Sequence, residues 1–274
     1  MDARLQRRVQ RYGWDKAAAY YERYWSRQLA PAQRRLLAFA ELKPGERVID
    51  IACGTGLVTF PAADAVGPSG TVVATDLSDV MVARVAEEAA RRGASQVISR
   101  RMDAEALDCA DGSFDAVLCS LGLMYVPDPL RAISEMKRVL RPGGRAVVAV
   151  WGSRDRCGWA EIFPIVDRRV SSDVCPMFFQ LGSGNNLRAT LERAGFADIV
   201  IERLATTLEY ESAEAASGAA FAGGPVALAY SRFDEPTRAA AEGEYLASIE
   251  PWRTGHRFEV PGEFVVARGF RISA

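Results

Sequence analysis

No apolar run in this chain approaches the roughly 18 to 20 residues that a membrane span requires, and its mean hydropathy is slightly negative. The stretch from Met1 to Asp15 carries basic residues with no apolar segment behind them. A secretory leader is therefore not expected, and the cytoplasm is the expected compartment. A dominant charge is missing too: 34 Lys and Arg face 35 Asp and Glu, a formal net charge of -1. Nothing in that balance draws the chain to nucleic acid or to anionic lipid, so a small-molecule partner is expected. Cysteine is sparse. Cys53, Cys109, Cys119, Cys157 and Cys175 are 5, an odd number, without a Cys-x-x-Cys pair, which argues against a disulfide framework and an ordinary zinc site. No metal is expected. Histidine is represented once, by His256, and no internal repeat or low-complexity segment appears.

What is present is an alternation. Short Val/Ile-rich segments at Arg47 to Ile51, Thr71 to Thr75, Val97 to Arg101, Phe114 to Cys119 and Arg145 to Trp151 alternate with helical spacing. This is the pattern of a parallel sheet buried on both faces by helices, an α/β doubly wound Rossmann-like architecture. Ser78 and Gly93 read as the caps of a helix from Asp79 to Arg92, and Pro129 to Leu140 reads as another, stopped by Arg141-Pro142-Gly143-Gly144. Residues 1–40 predict a helical lid, broken near Ala30-Pro31 and rich in aromatics from Tyr12 to Trp25. A core occupying 41–274 is expected to carry insertions at about 152–184 and 205–262. Within the first, Gly158 to Val170 predicts a helix and Met177-Phe178-Phe179 an exposed turn. The second, between strands at Asp198 to Leu204 and Glu263 to Ile272, is long enough to predict a substrate cap, with helical pieces ending near Gly223-Gly224-Pro225 and spanning Glu235 to Ile249.

Four features sit where such strands end. The first strand runs into Asp50-Ile51-Ala52-Cys53-Gly54-Thr55-Gly56, a turn whose glycines let a ligand approach the backbone. Asp76 ends the second, where a carboxylate can accept from both hydroxyls of a ribose. Asp103-Ala104 follow the third and can match the edge of a nucleobase by donor and acceptor. Ser120-Leu121-Gly122 follow the fourth. A dinucleotide site would favour a third small residue, yet Gly54-Thr55-Gly56-Leu57-Val58-Thr59 ends in threonine. A nicotinamide-dependent oxidoreductase therefore stands as the alternative, and a Walker loop is excluded because no Gly-Lys-Ser/Thr follows.

The ordered segments Asp50-Ile-Ala-Cys-Gly-Thr-Gly, Val73-Ala-Thr-Asp76-Leu-Ser, Met102-Asp103-Ala104-Glu105, Phe114-Asp-Ala-Val-Leu-Cys-Ser and Leu140-Arg-Pro-Gly-Gly-Arg145 resemble those of class I S-adenosylmethionine-dependent methyltransferases. The resemblance is nearest to the ubiquinone/menaquinone-biosynthesis-like group of small-molecule enzymes and covers roughly residues 10 to 204. It implies a seven-stranded sheet, six strands parallel and the last antiparallel, inserted beside the fifth. It implies S-adenosyl-L-methionine as cofactor and S-adenosyl-L-homocysteine as product. By position, Asp50, Ala52, Gly54 and Gly56 would surround the methionine end, with Asp50 reaching its amino group directly or through water. Asp76 would hold the ribose, Leu77 and Met81 the adenine face, Asp103 and Ala104 the adenine edge. Trp14 and Tyr21 would be aromatic lid residues; apart from the resemblance, the exposed backbone carbonyls of Ser120-Leu121-Gly122 could hold an ammonium or face the reaction centre. Ala52 departs from the family pattern, standing where its first glycine is usual.

Methyl transfer from a sulfonium asks chiefly for alignment, so a general base is optional. His256 and Tyr125 are the candidate catalytic side chains. Met177, Phe178, Phe179 and Phe221 suit an apolar pocket wall or a core. No Asn/Asp-Pro-Pro-Tyr/Phe follows the fourth strand, which weighs against amide or nucleobase N-methylation. Cys157 and Cys175 keep a metalloid acceptor in view. A non-catalytic S-adenosylmethionine-binding protein is a further alternative, because no side chain is indispensable to the chemistry.

Overall fold

The structure is a computed structural model, and residues 3–170 and 177–272 are described. Helix α1 (Ala3–Ala40) leads into β1 (Arg47–Ile51), α2 (Thr59–Val66), β2 (Thr71–Asp76), α3 (Asp79–Arg92), β3 (Val97–Arg101), β4 (Phe114–Ser120), α4 (Pro129–Val139) and β5 (Leu140–Trp151). The second half adds α5 (Ile162–Asp167), α6 (Asn186–Arg193), β6 (Ala197–Tyr210), α7 (Ala213–Ser217), a π-helical turn (Gly218–Ala222), α8 (Ala227–Tyr230), α9 (Glu235–Ile249), β7 (Arg253–Thr254) and β8 (Arg257–Phe270).

The strands form one sheet in the order β3-β2-β1-β4-β5-β8-β6. The first five are parallel neighbours, and β8 lies antiparallel between β5 and β6. Six of the seven principal strands thus share one direction and β8 opposes them, as expected from the sequence. A two-residue eighth strand, β7, hairpins onto β8 and was not expected. The carboxyl ends of β1 to β4 lie along one edge, Asp76 pairing with Arg101 and Ser120 with Ala149. Open α/β sheets bind ligands at that edge.

Ser78 caps α3 by accepting from Met81 N–H at 3.1 Å, and Gly93 closes it in the left-handed region, both as the sequence indicates. The break expected near Pro31 does not occur. Trp25, Leu29, Ala32, Leu36 and Phe39 form a buried stripe through that proline, and continuous burial offsets the one backbone hydrogen bond a proline removes. Buried Arg145 fixes the end of α1, donating to the carbonyls of Ala40 and Glu41 and pairing with Glu46 at 2.7 Å.

Three further expectations are corrected. Only Ile162–Asp167 of the segment 158–170 is α-helical, with Pro164 in its first turn, the position a helix tolerates best. Met177 is exposed, but Phe178 and Phe179 are buried against Phe163 and Trp159. Strands β6 and β8 run further than their apolar cores suggested, which shortens the connecting insertion to residues 211–256. Within it Phe221 stacks on Tyr230 and Tyr245 and serves as core.

Candidate functional site

A cleft opens at the carboxyl edge of the parallel strands, beneath the first half of α1, the edge at which open α/β sheets bind ligands. Helix α1 contributes Arg7, Arg11, Trp14 and Tyr21 to its wall. The β1 turn contributes Ala52 and Gly54, and the β2 end Asp76, Leu77 and Met81. The β3 end supplies Met102, Asp103, Ala104 and Glu105, and the β4 end Ser120, Leu121, Gly122 and Tyr125. Segments far apart in sequence thus converge here because each follows a strand of one sheet.

Asp76 is the hinge of the site. One carboxylate oxygen accepts from Gly54 N–H at 3.0 Å and the other from Ser78 N–H at 2.9 Å. The acid therefore ties the glycine turn to the start of α3, and each oxygen keeps a lone pair for a ligand. Burial raises its pKa, while the N–H groups of Ser78, Gly54 and Leu77 oppose the rise.

The turn itself holds a strained residue. Ala52 has φ +56, a region that costs a residue with a Cβ about 1–2 kcal/mol. Its methyl faces Gly122, where an added Cβ would come within 2.4 Å of Ala52 Cβ. At Gly56, φ +93, a Cβ would meet Phe60 at 2.6 Å. Close approach thus requires glycine at both turns, and at Gly56 the backbone conformation requires it as well.

Asp50 and Gly56 do not line the cleft. Gly56 faces a neighbouring surface groove with Thr55 and Leu57. Asp50 is buried beneath the turn and accepts from Thr59 Oγ1 at 2.6 Å. Burial pushes its carboxyl up to about 7, the Thr59 hydrogen bond opposing and the Asp76 charge reinforcing. Thr59, which spoils the dinucleotide pattern, is therefore the partner of this buried acid.

Polar contacts hold α1 over the cleft. Arg7 bridges Asp103 at 2.8 Å and the buried Glu105 at 2.5 Å, Arg11 pairs with Asp79, and Asp15 accepts from Ser78 Oγ at 2.5 Å. Trp14, Tyr21 and Trp25 fall on one helical face, at spacings of seven and four, while Tyr12 and Tyr20 point to solvent. Trp14 stands edge-on to both Tyr21 and Tyr125.

Behind these rings is a second, smaller cavity walled by Trp25, Trp151, Trp159 and Phe178. Sequence reasoning missed those four as a group, and it missed Arg7 and Arg11. Trp25 and Arg7 were detectable, being in helical register with Tyr21 and Trp14, and Trp151 ends β5 at the ligand edge. Phe178, a pocket-wall candidate in the sequence, does line this cavity, while Trp159 lies in irregular chain and carries no such signal.

His256 is elsewhere. It occupies the exposed turn between β7 and β8 and lines neither cavity, because the hairpin carries it onto the outside of the sheet. Cys157 is buried and its thiol is pushed up to about 12 by burial, so it is no ready thiolate. Cys175 lies outside the described residues. Burial likewise raises Cys53, and raises Cys119 to about 12.

Residues 49–148 match the methyltransferase domain family. The match runs from β1 into β5 and thus contains every strand end of the cleft. Among curated proteins the chain is 39% identical over 132 residues to nocamycin O-methyltransferase of Saccharothrix syringae, covering 48% of this chain and 47% of that one. It is 29% identical over 205 residues to demethylmenaquinone methyltransferase of Staphylococcus carnosus, covering 68% and 84%. The matched part spans about half the length of the first curated relatives. In fold, the chain is similar to phosphoethanolamine N-methyltransferase 2 of Haemonchus contortus, solved with S-adenosyl-L-methionine. The TM-score is 0.62 at 18% identity, over 94% of this chain and 57% of that one.

Proposed function

We propose that the protein transfers the methyl group of S-adenosyl-L-methionine to a small-molecule acceptor. The observation that carries this reading is Asp76, fixed by two backbone N–H groups and facing the same cleft as the β1 turn and Asp103-Ala104. The residues present fit the cofactor. Asp76 keeps acceptor capacity for a ribose diol, and Ser120 Oγ is buried in the cleft wall without a hydrogen-bond partner among the described residues. Glycine at Gly54 and Gly122 leaves the turns open.

In this reading Asp76 holds the ribose, Leu77 and Met81 pack on the adenine face, and Asp103 with Ala104 meets its edge. Ala52 and Gly54 flank the methionine end, and Asp50 supports the turn from below through Thr59 rather than touching the ligand. Helix α1 is the lid, its Trp14 and Tyr21 excluding water. The cofactor supplies an already activated methyl group, which leaves alignment and desolvation as the protein's share. Tyr125 is the remaining candidate beside the acceptor.

The dinucleotide alternative loses its support, since Thr59 is committed to Asp50 and β8 is inserted antiparallel in the sheet. A soluble, cytoplasmic setting with no nucleic-acid partner is part of the proposal. It is supported by the balanced charge and by the finding that no helix among the described residues is long and apolar enough to cross a membrane. Calorimetric titration tests it: S-adenosylhomocysteine should bind at micromolar concentration and NADH should not. Tight NADH binding without S-adenosylhomocysteine binding would overturn it, and absence of labelled methyl transfer to any acceptor would leave the non-catalytic binding protein.

A further inference from the structure

The second cavity shares Trp14, Tyr21, Leu121 and Tyr125 with the cleft. Its remaining wall comes from α1, the end of β5, the irregular segments holding Trp159 and Phe178, and the Gly224-Pro225 bend of the insertion. Among the described residues, no carboxylate, guanidinium or ammonium lines it. The rings meet edge to face: Trp25 and Trp151 at 6.1 Å, Trp159 and Phe178 at 5.6 Å, Tyr125 and Phe178 at 5.4 Å.

Its two central indoles differ in one respect. Trp25 Nε1 donates to the Ala219 carbonyl at 3.2 Å. Trp159 is 3% exposed, and its Nε1 is buried without an acceptor among the described residues. An indole nitrogen only donates, and buried donors are nearly always satisfied, so an orphan donor on the wall of an apolar cavity points to an oxygen brought by a ligand.

We propose that this cavity is the methyl-acceptor subsite and that Trp159 Nε1–H donates to an oxygen of the acceptor, an uncharged, flat, largely apolar molecule. The assignment of the occupant as acceptor rests on the methyltransferase reading; the chemistry of the cavity does not. A cation would gain from the ring faces, but among the described residues it would find no carboxylate, and the Trp159 N–H would turn its positive end toward it. An anion would find no Arg or Lys. A neutral ring carrying a carbonyl or comparable oxygen satisfies both the apolar wall and the orphan donor, and the shared residues place it next to the cleft.

The test uses 1-tetralone, tetralin (the same carbon frame without oxygen) and phenyltrimethylammonium. Each is titrated calorimetrically into the full chain, with and without saturating S-adenosylhomocysteine. In Trp159→Phe the affinity of tetralone relative to tetralin should fall about fivefold to tenfold, the worth of one hydrogen bond. In Trp25→Phe, where the lost N–H is already spent within the protein, the ratio should not move. Should Trp159→Phe fail to fold, the wild-type protein still decides: tetralone should shift the Trp159 indole N–H resonance downfield, and tetralin should not. An unchanged ratio, an unmoved resonance, failure of both bicyclic probes to bind, or tighter binding of phenyltrimethylammonium would overturn the proposal. Failure of S-adenosylhomocysteine to bind would instead overturn the methyltransferase reading, while titrations of the protein alone would still judge the cavity.

Discussion

The cleft and the aromatic cavity touch through four shared residues, yet they are assembled in different ways. The charged and hydrogen-bonding groups of the cleft come from strand ends, where one residue per turn has a fixed place: Gly54, Asp76, Asp103, Ser120. The cavity is apolar, and its groups come from wherever a large ring could be folded inward: Trp25 from a helix, Trp151 from a strand, Trp159 and Phe178 from irregular chain. Cofactor binding through backbone and carboxylates constrains a short local sequence. Enclosing an apolar guest constrains only the sum of many side chains, which sequences can meet in many ways.

Substitutions should separate the two sites. The largest effect belongs to Asp76→Ala, which removes the acceptor of two backbone N–H groups together with the proposed ribose contact. Affinity for S-adenosylhomocysteine should fall at least 10- to 100-fold, on the order of 1–3 kcal/mol, while tetralone binding to the cavity stays within about twofold. Equal losses at both sites would show that they are not separable.

Gly122→Ala comes next, because its new methyl must displace Ala52 across the cleft floor. We expect a loss of about 1–3 kcal/mol in unfolding free energy. Combining it with Ala52→Gly should restore part of that loss, since the second change removes the colliding methyl and the strained φ together. Strict additivity of the two in denaturant unfolding would argue against the contact.

Asp50 gives the cleft a pH signature that the cavity lacks. Its folded pKa of about 7 lies above the ordinary range near 4. The folded state therefore holds a proton that the unfolded state releases, and the stability this lends at low pH is lost as pH rises from about 4 to 7. The slope should reach at most about 1.4 kcal/mol per unit. The melting temperature of the unliganded protein should accordingly decline between pH 5 and 7.5, and Asp50→Asn should flatten the decline. A melting temperature rising over that interval, or a slope untouched by the substitution, would contradict the buried-acid account. The smallest effect is expected from His256→Ala, whose exposed turn is remote from both sites. It should leave cofactor and probe affinities unchanged, and a tenfold change in either would return that histidine to the site.

These contrasts explain what the sequence could show. The order of the sheet and the caps of α3 were readable because Val/Ile runs, Ser78 and Gly93 act locally. Ala52, Gly54, Asp76 and Asp103 were readable as a set because each directly follows a strand. Arg145 belongs to a recognisable segment but serves the fold, clamping the end of α1, which no spacing reveals. The continuity of α1 through Pro31 depends on burial against distant strands, and a local rule about proline cannot anticipate it. The inward turn of Phe178 and the unpaired donor of Trp159 are properties of tertiary packing alone.

The most direct test of the central claim is a crystal structure with S-adenosylhomocysteine. The account predicts the ribose hydroxyls on the Asp76 carboxylate, adenine between Leu77 or Met81 and Asp103-Ala104, and the sulfur at the junction of cleft and cavity near Leu121 and Tyr125. A nucleoside bound away from Asp76, or a sulfur facing away from the aromatic cavity, would contradict it.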